Sequence, residues 1–134
     1  MRRLLLAALA TALAGCPDST TAPYAQLYAI TAVPPGSVAS IVTNRDDARF
    51  QVSLSVGVAI GARCSDYCPG TRTTCASMRV TSDDPAVLDV RSVYRGGRQP
   101  TESILVAKKV GTTTLVVDTA CATEVYTVDV LPRP

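Results

Sequence analysis

Between residues 51 and 64 the chain alternates. Val52, Leu54, Val56, Val58, Ile60 and Ala62 share one parity, Gln51, Ser53 and Ser55 fall between them, and Cys64 continues the apolar series. Successive side chains of a β-strand point to opposite faces, so this period of two gives a strand with one apolar side. No segment of the chain carries a helical period. After residue 24, short β-prone runs alternate with turn residues. Strands are expected over 25–33 and 37–43, stopped by Pro34-Pro35-Gly36 and by Asn44-Arg45-Asp46-Asp47. The stretch 65–74, with Pro69-Gly70, reads as a polar turn region, followed by a strand over 75–82 and a turn at Ser82-Asp83-Asp84-Pro85. Val87 and Val90 anchor a brief strand, and 92–103 reads as a loop containing Gly96-Gly97 and Pro100. Strands from Ile104 to Lys108, Thr112 to Asp118 and Glu124 to Leu131 complete the series. About seven to eight short strands at this spacing predict an all-β antiparallel sandwich. Its expected core holds Val56, Val58, Ile60, Val87, Val90, Leu105, Leu115, Val117 and Val128.

The first residues have a different character. Arg2 and Arg3 precede an apolar run from Leu4 to Leu13 that is too short to span a bilayer, which takes about 20 residues. Leu13-Ala14-Gly15-Cys16 follows and resembles the lipobox of bacterial lipoproteins. That resemblance implies cleavage before Cys16, acylation of Cys16 and an anchor in a bacterial membrane. Each buried methylene is worth about 0.8 kcal/mol, and stable anchoring takes more than one chain, which a multiply acylated cysteine supplies. Pro17 stands where an Asp favours inner-membrane retention in some bacteria, and Asp18 lies one residue beyond, which points to the outer membrane. The chain thus divides into a signal peptide over 1–15, a lipidated cysteine and polar tether over 16–24, and a domain over 25–134.

Removing residues 1–15 from the 134 leaves 119, one domain able to bury its own core. Arg2 and Arg3 leave with the signal, so 13 basic and 11 acidic side chains become 11 and 11. Zero net charge argues against nucleic acid or anionic lipid as the partner. The chain has no His, which removes the usual general base, the Ser-His and Cys-His pairs and imidazole metal sites. No phosphate-cradling glycine loop is present, and no cofactor is implied.

With Cys16 assigned to lipid, Cys64, Cys68, Cys75 and Cys121 remain. An even number in an oxidising compartment predicts two disulfides. The alternative is a four-cysteine zinc site, disfavoured because Cys121 has no near neighbour in sequence.

The stretch Thr81-Ser82-Asp83-Asp84-Pro85-Ala86-Val87-Leu88-Asp89-Val90 resembles the S-S-D-P-x-V-x-x-V signature of bacterial Ig-like domains, group 2. Val110-Gly111-Thr112-Thr113-Thr114-Leu115-Val116-Val117 and Tyr126-Thr127-Val128-Asp129-Val130 resemble that family's last two strands. The likeness spans residues 75–131. The family's Trp before the signature is replaced by Val80, and the four cysteines are not part of its pattern. The resemblance implies an Ig-like sandwich, a structural or adhesive role and no catalytic residues.

In an Ig-like order, Val52 to Cys64, Cys75 to Ser82 and Thr112 to Cys121 would bring all four cysteines to one pole. Parity then favours Cys64–Cys121 across the sheets and Cys68–Cys75 within a loop, with the other two pairings open. Loops at that pole are candidates for recognition, through Asp66, Tyr67 and Arg72 and through Tyr94, Arg95 and Arg98. Asp46-Asp47 and Asp83-Asp84 are turn residues before they are calcium ligands, and Lys108-Lys109 is strand-end charge. Two functional classes follow. One is a non-catalytic envelope module that is structural or binds a protein or glycan. The other is a disulfide-stapled enzyme inhibitor or enzyme acting through the loop between the second and third Ig-like strands, with Cys68 to Cys75 as its stapled part.

Overall fold

The computed structural model describes the backbone of residues 23–68 and 71–134, and their side chains outside 66–74. The signal segment and Cys16 lie outside the described residues. The fold is an all-β sandwich. Its strands are β1 (Tyr24–Ala29), β2 (Ala39–Asn44), β3 (Arg49–Ser55), β4 (Ala59–Cys68), β5 (Thr71–Thr74), β6 (Met78–Ser82), β7 (Leu88–Val93), β8 (Glu102–Ala107), β9 (Gly111–Thr119) and β10 (Thr123–Leu131). One sheet, here sheet A, has the order β1-β4-β8-β7, with β5 paired to the far half of β4. The other, sheet B, has the order β2-β3-β10-β9-β6. Ten strands thus stand among the described residues where seven to eight are expected, and β3 pairs β10 in parallel, so sheet B is mixed.

The alternating run that suggested one long strand is two strands in different sheets. Val58 N–H donates to the Ser55 carbonyl at 3.1 Å, closing a tight turn with Gly57 at φ +80°. That left-handed conformation suits glycine and costs any side chain. The parity survives the turn because both strands face the same core. Val52 and Leu54 on β3 and Ile60, Ala62 and Cys64 on β4 are all buried. Of the expected core, Val58, Val87, Leu105, Leu115, Val117 and Val128 are also buried, whereas Val56 and Val90 are half-buried and pack against it. Leu27, Met78, Leu88 and Tyr126 are further large buried side chains.

Tyr126 joins the layers. It lies on β10 in sheet B with no exposed surface. Its hydroxyl accepts from the Leu27 N–H of β1, in sheet A, at 2.9 Å and shares a hydrogen bond with Thr43 Oγ1 of β2 at 2.9 Å. β1 is an edge strand, so that amide would otherwise be a buried donor without a ladder partner. The Phe50 ring meets the Tyr126 ring edge-on at a centroid distance of 5.5 Å. Tyr126→Phe keeps the ring and orphans the amide. The expected loss is about 1–3 kcal/mol, read as a lower urea midpoint with an unchanged denaturant slope.

Candidate functional site

Strand directions place the segments around all the described cysteines at one end of the sandwich. β4 runs out to Cys68, β5 returns towards Cys75, and β9 ends at Thr119 just before Cys121. The β7–β8 connection, with Tyr94, Arg95 and Arg98, reaches the same end, because Val93 pairs with Glu102 at the pole-side start of β8. The Met78 N–H donates to the Pro100 carbonyl at 2.9 Å and fastens that connection beside β6. The expected stapled loop is instead a hairpin. Tyr67 pairs with Arg72 and Asp66 with Thr73, so these candidate residues stand on strands.

The hairpin also corrects the expected disulfide. Ser65 pairs with Thr74, and one more step sets Cys64 opposite Cys75. Their Cα atoms are 5.6 Å apart and the sulfurs are bonded to each other. That separation is ordinary for a disulfide. Inward parity was right for Cys64, which is buried, but the inward partner is its neighbour in sheet A and not Cys121 across the core. Cys121 is also disulfide-bonded. A four-cysteine zinc site is not formed, because bonded sulfurs are not thiolate ligands. Among the described residues no group of three or more His, Cys, Asp or Glu could hold a metal ion.

The aspartate pairs serve turns. The Asn44 carboxamide oxygen accepts from the Asp46 N–H at 3.0 Å, and its Nδ2 donates to Asp47 Oδ2 at 2.7 Å. Asp84 Oδ1 accepts from the Ala86 N–H at 2.9 Å, and Asp83 accepts from the Thr114 hydroxyl.

Sequence reasoning missed the outer face of sheet A. Glu102 points away from the core yet is only 4% exposed. Arg63 Nε donates to its Oε1 at 2.6 Å and Arg95 Nε donates to the same oxygen at 2.8 Å. The Arg63 hydrogen bonds hold the Glu102 carboxyl below the usual carboxylate range, with burial opposing and Arg95 assisting. Two guanidinium groups against one carboxylate leave the cluster positive. Beside it lies a groove of about 310 Å³, whose lining includes Ile30, Thr31, Gly61, Val93 and Ile104. Gly61 makes the groove possible. A Cβ there would meet Ile30 Cγ1 at 3.0 Å and Thr31 Cγ2 at 3.2 Å. The absent side chain lets residues 30 and 31 lie close beside β4, held by the Ile30 N–H on the Gly61 carbonyl and the Gly61 N–H on Thr31 Oγ1, both at 2.9 Å. The sequence signal was present but faint: Arg63 has outward parity on the alternating run, and Glu102 opens an apolar run that was assigned in part to a loop.

Two tests follow. Cleavage at Arg63, before Asp66 and after Arg72 separates the hairpin cysteines, so non-reducing peptide mapping is expected to link the Cys64 peptide to the Cys75 peptide. A link from Cys64 to Cys121 would refute the hairpin register. The second test is pH dependence. Because Glu102 titrates below its ordinary 4.5 when folded, its contribution is present above that pH and is lost as pH falls through the lowered value. Glu102→Gln should therefore be less stable than the wild type near neutral pH, and urea denaturation should show the gap closing in acid.

Comparison with known protein families, curated proteins and solved structures returns no match to this chain.

Proposed function

We propose that the chain is a cell-envelope lipoprotein whose mature part is a non-catalytic Ig-like module, structural or binding a protein or glycan. The observation that carries this reading is the cysteine chemistry. A buried Cys64–Cys75 bridge and a bonded Cys121 suit a protein matured in an oxidising compartment, as the basic and apolar start with its lipobox-like Leu13-Ala14-Gly15-Cys16 requires. With Cys64 and Cys75 joined and Cys16 assigned to lipid, Cys68 is the partner of Cys121 in this reading.

The binding surface in this reading is the groove on sheet A. Its apolar floor and positive rim suit a ligand with an apolar group next to a hydrogen-bond acceptor, and the rim arginines are held in place by Glu102. The disulfide hairpin is a staple under this surface and not the recognition loop. An anchor in the outer membrane is favoured by Pro17 in the position after the lipidated cysteine.

Intact mass decides the anchor. Protein extracted from bacterial membranes is expected to begin at Cys16 and to carry acyl mass. An unmodified soluble form released from wild-type cells, or cleavage at another position, would overturn the reading.

A further inference from the structure

We infer that the cysteine pole rests on the phospholipid headgroup layer and that the opposite pole faces away from the membrane. The inference rests on the proposed lipid at Cys16. What the structure adds is where the tether arrives. β1 begins at Tyr24, which pairs with Tyr67 near the outer end of β4. The chain therefore enters the sandwich at the pole of the β4–β5 hairpin, the β7–β8 connection and the β9–β10 turn. That entrance is fixed, because the Arg45 guanidinium sits 4.2 Å over the Tyr24 ring.

Reach then limits orientation. Cys16 is eight residues before Tyr24. Eight residues extend to about 28 Å at most. A nine-residue strand such as β10 is itself about 30 Å long. Turning the far pole to the bilayer would take nearly the whole tether, fully extended along the side of the domain.

The surface of the near pole has the matching chemistry. Tyr94 is 59% exposed and sits in a connection that runs on to exposed Arg98. Tyrosine favours membrane–water interfaces, and arginine pairs bidentately with phosphate. The recognised group is the headgroup phosphate, so the neutral net charge of the mature chain is no obstacle. The candidate recognition residues Tyr94 and Arg98 then meet lipid and not an external partner, which leaves the groove on the side of the sandwich, with Arg95 on its rim, open.

The chain has no Trp, so a single introduced Trp is a clean reporter. Tyr94→Trp marks the near pole. Val110→Trp and Val38→Trp mark the far pole at exposed positions. Each lipidated protein is reconstituted into phosphatidylcholine and phosphatidylglycerol vesicles containing a lipid spin-labelled on its headgroup. Loss of emission is expected for Tyr94→Trp and not for the far-pole variants. Equal quenching at both poles, quenching confined to the far pole, or none at either would overturn the orientation. Flotation and intact mass of the same samples separate the two claims. Protein that carries acyl mass and floats but shows the wrong quenching pattern refutes the orientation alone. Protein that neither carries lipid nor floats refutes the anchor and the orientation with it.

Discussion

A two-layer β-sandwich has open flanks, and here the hydroxyl of Tyr126 closes one of them. Burial of its ring draws β10 against β3 and Phe50, while the oxygen reaches β1 in one layer and β2 in the other. Burial pushes the phenol above its ordinary range, so it remains a protonated donor and acceptor. The same contact helps hold β1 in place, and β1 sets where the chain enters the sandwich and how residues 30 and 31 lie beside Gly61. The groove and the proposed orientation of the domain both depend on the place of β1.

The fold was legible because parity is a local signal. Both halves of the alternating run face one core, so reading them as a single strand still assigned Val58 and Ile60 correctly. The error lay at Gly57, where a glycine within an alternating run marked a change of sheet. Parity also puts Tyr126 inward with Val128, but says nothing of its hydroxyl reaching two other strands. The disulfide failed for a similar reason. Parity identifies which cysteines face the core, whereas pairing depends on register, and register turned on whether residues 65–74 formed a loop or a hairpin. The Arg63–Glu102–Arg95 cluster brings β4 to the two ends of the β7–β8 connection, and no spacing rule announces such a site.

The two faces of sheet A divide the labour. Its inner face carries the buried Cys64–Cys75 bridge, which closes a short loop and contributes about 3 kcal/mol in the chain-entropy model. Its outer face carries the groove and the charged rim. Because β4 supplies Cys64 inward and Gly61 and Arg63 outward, the covalent staple stiffens the strand that presents the surface. A rigid floor lowers the ordering cost of binding, which is the general advantage of a preorganised site.

The place of β10 has a consequence for how the chain acquires its structure. The last strand in sequence is the middle strand of sheet B, flanked by β3 on one side and β9 on the other. Val52 and Val128 are neighbours drawn from distant parts of the chain. As the polypeptide emerges from its amino end, β2 and β3 come early and wait with an apolar face and an unpaired edge. The β2–β3 and β6–β9 pairs can form earlier, but the two halves of sheet B are joined only when β10 is made. Such non-local pairing is slow and exposes the nascent chain to aggregation and proteolysis. Completion of this domain therefore waits for its last strand, and in the proposed lipoprotein an early anchor would hold the waiting strands at the membrane meanwhile.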